Sequence, residues 1–470
     1  MVKHRRLRGP APGTATGRPR RRALIEKRRD RIERGRALRE AVPRSAHAEW
    51  RPGQDRTDPI TILERQAKSR VKELIPVRYA RMAESPFAFF RGAAAVMAMD
   101  LAATPSTGLP VQACGDAHVN NFGKFATPER NLLFDINDFD ETLPGPWEWD
   151  VKRLCASLAI VVRQRGFRPV EGERVVEAAA RTYREHMAEY ARMRMLEVWY
   201  DRIAVDDVIA HFPARYRDAV RRDVERAQKR DHRRAVAKLT KPVAGESRFV
   251  EDPPLVVHVD KAGYGKDDVA AMLEDYRSSL AVERRVLLDR FELVDVARRV
   301  VGVGSVGTRC WLALFEGPFH PDGDPLVLQI KEAQPSVLEP HVGSCGFEHG
   351  GLRVVAGQRM IQAASDLFLG WCTAPSGRKY YVRQLWDVKG QSDPMTMTPS
   401  GLGYYGALCA WTLSRAHART GDAAAIAGYL GRSNRFDRAI VEFSTRYAEI
   451  NETDHAHLCE AVRSGRVRAA

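Results

Sequence analysis

The chain has no run of eighteen apolar residues, which excludes an ordinary α-helical membrane span. Its seven cysteines are odd in number and include no Cys-x-x-Cys pair. That argues against a disulfide framework or a zinc ribbon and leads to an expectation of free thiols in a reducing cytoplasm. Aromatic residues are only 8% of the chain, and none interleaves the N-terminal arginines as a base-stacking surface would require. No apolar segment follows Arg20-Arg21-Arg22, so neither a general secretory nor a twin-arginine signal is expected. What is present is a globular composition, 44% hydrophobic and 29% charged over 470 residues, enough for two or three packed units.

The net charge of +15 is unevenly spread. Residues 1–51 hold 17 Lys+Arg against 5 Asp+Glu, about +12, and the rest of the chain is close to +3. Residues 1–22 carry Arg, Gly, Pro and Ala without hydrophobic period and read as disordered; 23–41 read at best as a solvated helix. A nucleic-acid arm would exploit the phosphate attraction of arginine. A solubilising tail is the preferred reading, because the stacking aromatics are missing.

Chemistry concentrates in Cys114-Gly115-Asp116-Ala117-His118-Val119-Asn120-Asn121 and in Asn137-Asp138-Phe139-Asp140. Between them Leu132-Leu133-Phe134 reads as a buried strand. A carboxylate and a carboxamide five residues apart, then a strand ending in carboxylates, suit Mg²⁺ and a phosphorylated nucleotide. Mg²⁺ takes one or two protein oxygens and the rest from phosphate and water. Two surface turns with locally satisfied Asp and Asn are the plain alternative.

At these residues the chain resembles the kinase-like phosphotransferases, especially the aminoglycoside and choline kinase branch, whose loop reads His-Gly-Asp-x-His-x-x-Asn. From about Arg34 onward it also resembles the bacterial family of unknown function DUF2252. The resemblance implies Asp116 as catalytic base, Asn121 and Asp138 as metal ligands, and Asp150 as a brace of the catalytic loop. Asp150 also reads as an ordinary helix N-cap. Two positions depart from the pattern: Cys114 stands for His, and Asp140 for the Gly of Asp-Phe-Gly.

Further on, Gly302-Val303-Gly304-Ser305-Val306-Gly307 matches G-x-G-x-x-G, a weak signal alone. A strand-like run follows, then a turn at 320–324, then Leu326-Val327-Leu328-Gln329-Ile330-Lys331. Strand, glycine loop, strand, turn, strand with Lys is the order of a kinase nucleotide lobe, in which Gly302, Gly304, Ser305, Gly307 and Lys331 would hold the nucleotide phosphates. A Gly-rich hairpin with a snorkelling lysine is the alternative. The usual glutamate partner of that lysine has no clear counterpart; Glu348 or Gln358 is the nearest substitute. The catalytic loop precedes the glycine loop, the reverse of kinase order, which a circular permutation would reconcile.

The periodicity predicts helices over 60–74 and 87–102, the second with Phe90, Ala94, Met97 and Leu101 as its buried stripe. Arg91 is the one charge in that stripe, its head either in solvent or in a phosphate site. Residues 171–239 read as helical, 243–265 as a short-stranded connector, 267–291 as a helix, and 401–462 as C-terminal helices. A rival zinc site would use His341, Cys345 and His349 with Glu348, in a Gly-rich loop lacking a clear fourth ligand.

These readings combine into an α+β, kinase-like two-lobe fold. It comprises a basic tail (1–50), a helical lobe with the catalytic and metal loops (51–265), a small antiparallel sheet lobe with the glycine loop (266–395), and C-terminal helices (396–470). The expected function is ATP- and Mg²⁺-dependent phosphoryl transfer, with Asp116 as base and Arg91, His118, Asp140 and Asp150 in support. His118 stands two residues after Asp116, where protein kinases carry Lys, so the resemblance inclines to a small-molecule acceptor over a protein. An inactive nucleotide-binding regulator, or a transferase of AMP on the same fold, are the alternatives. One shared site requires Lys331 within about 10 Å of Asp138, since charge-assisted contacts are only about 3 Å long.

Overall fold

The computed structural model describes residues 26–228, 232–243, 246–258, 266–300, 302–318, 323–385, 390 and 392–470. The arginine-rich stretch 1–22 and most of the turn at 320–324 lie outside the described residues, as do 259–265 of the connector.

The centre of the helical part is the Trp147–Gln164 helix, in which every residue from Trp147 to Val162 is buried. A helix apolar on nearly all sides has to be surrounded, and the Pro169–Tyr190, Pro399–Thr420 and Arg435–Arg463 helices pack around it. Trp147 stacks on Tyr183 with ring centroids 5.6 Å apart. Burying each such large side chain is worth about 1.5–3 kcal/mol. One continuous apolar cluster runs from these helices into the strands that carry the two acidic motifs.

Those strands form two antiparallel pairs. β1 (Pro110–Ala113) pairs with β4 (Leu143–Pro146), and β2 (Phe122–Ala126) with β3 (Leu132–Ile136). The 114–121 loop joins β1 to β2 and the 137–142 loop joins β3 to β4. Both loops therefore leave strand ends whose inward residues, including Phe122 and Ile136, are fully buried.

β5 (Thr240–Val243) and β6 (Glu246–Phe249) make a hairpin. The remaining strands, β7 (Val256–His258), β8 (Glu292–Arg299), β9 (Cys310–Glu316), β10 (Pro325–Glu332), β11 (Gly370–Thr373) and β12 (Lys379–Gln384), build one antiparallel sheet in the order β11-β12-β10-β9-β8-β7. Side chains alternate across a strand. On β10, Leu326, Leu328 and Ile330 join Val269, Met272 and Tyr276 of the Lys266–Ser279 helix in one core. Val327 lies on the opposite face, packed with Val236 and Phe249, and alternation puts Gln329 and Lys331 on that same face. The Gly350–Ile361 helix links β10 to β11 and leans on β12.

The mixed α+β character matches the sequence reading, and several boundaries do not. The helix expected over 60–74 stops at Ala67, and a second begins at Ile75 (Pro59–Ala67 and Ile75–Ala83). Between them the Val71 amide donates to the Gly307 carbonyl at 2.8 Å, so the segment serves the glycine loop instead of its own helix. The helix over 87–102 breaks at Ala93 into Pro86–Gly92 and Ala94–Ala102. At the break the Phe90 carbonyl accepts from the Ala93 amide at 3.2 Å and from Arg153 Nη2 at 2.8 Å, and the Gly92 carbonyl accepts from Arg78 Nη2 at 3.0 Å. Among the described residues the span 171–239 falls into the helical segments Pro169–Tyr190, Met195–Tyr200, Val205–His211, Ala214–Gln228 and His232–Leu239. No helix among the described residues is long and apolar enough to cross a membrane.

Candidate active site

The two acidic loops and the glycine loop, more than 160 residues apart in sequence, line one cavity of about 130 Å³. Asp116, His118 and Asn121 come from the first loop, Asp138, Asp140 and Glu141 from the second, and Gly302, Gly304, Ser305 and Thr308 from the third. The remaining wall comes from the N-terminal part, with Gln66, Arg70 and Arg91, and from the end of β10 and the segment after it, Glu332 to Val337.

Asp150 fixes the first loop. It lies in the first turn of the Trp147–Gln164 helix, not at its N-cap, which is Pro146. Its carboxylate accepts from the Cys114 amide at 2.6 Å and the Gly115 amide at 2.9 Å, and His417 Nε2 stands 3.1 Å away. The N-cap reading of Asp150 is therefore replaced by a loop brace. Cys114 links the loops directly, its thiol donating to the Asp138 carbonyl at 3.5 Å.

Asp116 is held by Arg153, whose Nε donates to Oδ1 at 2.8 Å. Burial pushes the Asp116 carboxyl above its usual range and Asp138 adds to the rise, against the opposing charge and hydrogen bond of Arg153. Asn121 gives its amide to the Asp116 carbonyl at 2.6 Å, which leaves its Oδ1 as the atom able to ligate a cation. His118 is buried, with Nε2 3.8 Å from Asp116 Oδ2. Burial, then Arg91 and Arg153, hold its imidazole well below the ordinary histidine value, hence neutral.

Lys331 reaches across from β10. Its Nζ donates to Asp140 Oδ2 at 2.6 Å and lies 3.7 Å from Asp138 Oδ1, inside the 10 Å that one shared site requires. Burial alone would lower the lysine pKa; Asp138 and Asp140 overcome it and raise it well above the usual value. Tyr381, the cross-strand partner of Lys331, donates its hydroxyl to Asp140 Oδ1 at 2.5 Å. Burial works to raise the Asp140 pKa, but Lys331 and Tyr381 win and hold it below the ordinary carboxylate range. The lysine's partner is thus Asp140, not Glu348 or Gln358. Gln358 instead donates to Gln362 at 2.9 Å, and Glu348 offers only its carbonyl, to Lys379.

The glycine loop joins β8 to β9 and is docked by arginines. Arg81 Nη1 donates to the Gly302 carbonyl at 2.6 Å, and Arg70 Nη1 to the Val306 carbonyl. Gly307 has φ +86°, and a Cβ there would sit 3.0 Å from Arg70 Cβ. At that position the loop needs both the left-handed conformation and the space.

A mononuclear Mg²⁺ fits the donors of the two acidic loops. Asp138 Oδ1 is buried and has no hydrogen-bond partner, and Asn121 supplies a neutral oxygen. Among the described residues no trio of His, Cys, Asp and Glu is gathered as a protein-only cage. One carboxylate and one amide oxygen are a donor pair for a cation that takes its other ligands from phosphate and water. The rival zinc set is not assembled: His349 Nδ1 accepts the Leu352 amide as a helix cap, and Nε2 pairs with Thr373 Oγ1 at 3.1 Å.

Four contributors escaped the sequence reading. Arg153 follows Asp150 by one helical turn, a spacing that could have placed it near the loop Asp150 braces. Glu141 adjoins Asp140; burial pushes its carboxyl up to about 7 against the amide of Val337 and Arg353. Arg70 and Arg353 carry no local signal. Arg353 donates to the carbonyls of Thr142, Asp140 and Gln334 at 2.6–2.8 Å and so fixes the acidic turn from the Gly350–Ile361 helix.

A second cavity, about 540 Å³ and mainly apolar, lies beyond β2. Phe134, Val208, Tyr216, Met397 and Tyr405 line it, with Lys124, Asp223 and Ser392 as a joined polar cluster.

A family model described as "Uncharacterized protein conserved in bacteria (DUF2252)" matches residues 70–461. No curated protein and no solved structure matches the chain.

Proposed function

The chain belongs to the DUF2252 family, and we propose that it is an ATP- and Mg²⁺-dependent phosphotransferase of kinase-like type acting on a small hydroxylated or aminated acceptor. The observation that carries this reading is that the glycine loop and both acidic loops line one cavity, while Lys331 of the adjoining sheet stands 3.7 Å from Asp138. The succession of strand, glycine loop, strand, turn and strand ending in Lys agrees with it, as β8, β9 and β10 are adjacent and antiparallel. Circular permutation accounts for the reversed order of the two regions.

In this reading Asp138 and Asn121 hold Mg²⁺, which when bound neutralises phosphate charge. Lys331 and the glycine-loop backbone orient the phosphates. Asp116 accepts the acceptor proton; its raised pKa brings it closer to the operating pH that general-base work favours. The cavity of about 130 Å³ is smaller than the roughly 300–1,000 Å³ of whole-ligand pockets. It is sized for phosphate groups.

One observation favours a second reading, a nucleotide-binding regulator without turnover: the Arg153 ion pair at 2.7–2.8 Å competes with proton acceptance by Asp116. Titrating ATP with and without Mg²⁺, then following ADP and pyrophosphate, separates the readings. ADP release supports phosphoryl transfer, pyrophosphate release a nucleotidyl transferase, and binding without either product the regulator. Absence of binding at millimolar ATP removes all three.

A further inference from the structure

We propose that Arg91, brought to the cavity by the N-terminal helices, is the side chain that neutralises the phosphoryl group in flight. The inference rests on the phosphotransferase reading and adds a catalytic residue to it.

Arg91, which is partly buried, stands apart from the buried arginines around it. Arg78 donates to Gln66 and Gly92, Arg153 to Asp116 and Phe90, and Arg353 to three carbonyls. Arg91 Nε is buried without a hydrogen-bond partner, and among the described residues the guanidinium has no ion pair. Yet it lines the same cavity as Asp116 and Asp138, whose charges are the largest favourable influences on it. The Arg91 side chain is only partly buried, so its charge remains open to an incoming anion while Nε is sealed off. An anion would complete the arrangement, and the cavity is sized for one.

Its backbone is equally well placed. The Pro86–Gly92 helix is held through the Phe90 and Gly92 carbonyls by Arg153 and Arg78. The Arg91 carbonyl lies against Gly304, where an added Cβ would be only 3.0 Å away. Arg91 therefore lies against the glycine loop on one side, and its helix is tied through Arg153 to Asp116 on the other. Preorganised donors of this kind act on charge that develops in the transition state.

In the step itself the acceptor oxygen or nitrogen bonds to the γ-phosphorus and the bond from that phosphorus to the ADP oxygen breaks. The electron pair leaves on ADP, the acceptor proton passes to Asp116, and Arg91 keeps its protons throughout. Its fork meets the equatorial oxygens, where such transition states spread their charge.

The test needs no acceptor. MgADP affinity is measured by calorimetry with and without aluminium fluoride, a mimic of the planar phosphoryl group, in wild type, Arg91→Gln and Arg91→Lys. Wild type should bind MgADP, and fluoride should tighten that binding. Arg91→Gln should leave MgADP affinity nearly unchanged and lose about 10²–10³ of the tightening, the usual worth of one preorganised donor. Arg91→Lys should recover part, since an ammonium supplies charge without the fork. Equal tightening in wild type and Arg91→Gln overturns the role of Arg91 and leaves the phosphotransferase reading standing. Failure of wild type to bind MgADP overturns that reading itself. Melting curves of all three proteins ensure that a lost response is not lost folding.

Discussion

Lys331 Nζ sits 2.6 Å from Asp140 Oδ2 and 3.7 Å from Asp138 Oδ1, so two carboxylates separated by the buried Phe139 share one ammonium. The residue that stands where the kinase pattern has glycine is the one that binds the lysine. Asp140 anchors Lys331 and leaves Asp138 less tightly engaged.

Asp140→Asn should therefore strip a nearly inaccessible lysine of its closest counter-charge. Lys331 is only 3% exposed, and removing one member of a buried pair costs about 3–5 kcal/mol. Lys331→Met, which fills similar space without charge, should be milder in the Asp140→Asn background than in wild type. Urea unfolding of the four proteins of this double-mutant cycle measures the coupling; additive losses would mean the pair contributes nothing of its own.

Asp140 and Glu141 are adjacent but should respond to pH with opposite sign. Asp140 is held below its reference value of 3.8, so its share of stability is present above that value and lost as pH falls through the lower, folded one. Glu141 is raised from 4.5 to about 7. The folded state then binds the Glu141 proton more tightly than the unfolded state, and stability falls as pH rises from about 4.5 to about 7. Glu141→Gln keeps a carbonyl oxygen for the Val337 amide, which reaches Glu141 Oε2 at 2.7 Å. The variant should show a flatter melting-temperature profile between those pH values and gain relative to wild type above pH 7. An unchanged slope would show that Glu141 is not the titrating group.

Gly307→Ala should loosen the glycine loop. An alanine at φ +86° carries a left-handed cost of about 1–2 kcal/mol, and its Cβ would press on Arg70, whose guanidinium holds Val306. Nucleotide affinity should fall along with melting temperature. Gly343 has the same φ but open space around it and lies away from the cavity, so Gly343→Ala is the matched control for strain alone.

How much of this was legible in the sequence follows the range of the interactions. The strand-and-loop order around Asp116, Asp138 and Lys331 could be read because short periodic runs and turn residues encode it locally. Glu348 and Gln358 were the wrong partners for Lys331 because the true one, Asp140, lies about 190 residues upstream and meets it only through β10 packing. The helix breaks near Ala67 and Ala93 were illegible for a similar reason: their amides and carbonyls are met by Gly307 and Arg153, remote in sequence, and by Arg78 of the preceding helix. Arg91 could be singled out as the lone charge of an apolar stripe, but only the fold shows which way it lies.

The two loop carboxylates should fail differently. Asp138 has a buried oxygen without a hydrogen-bond partner, so Asp138→Asn removes a charged ligand while breaking little of the native network. Mg²⁺-dependent ATP binding should weaken, and ATP binding without Mg²⁺ should change little. Asp116 is tied more closely than Asp138: Arg153, only 2% exposed, donates to it at 2.8 Å, whereas Asp138 has the longer 3.7 Å ion pair with Lys331. Asp116→Asn keeps an acceptor oxygen for Arg153 but removes the counter-charge, so some loss of melting temperature is expected along with a fall in turnover of about 10²–10⁴. Mg²⁺-ATP affinity should stay close to wild type, because the metal and phosphates rest on Asn121, Asp138 and Lys331 in this assignment. Calorimetric ATP titrations with and without Mg²⁺, on both variants at a temperature where each is folded, decide the matter. Equal weakening of Mg²⁺-ATP binding by the two substitutions would sink the division of labour between a metal ligand and a base.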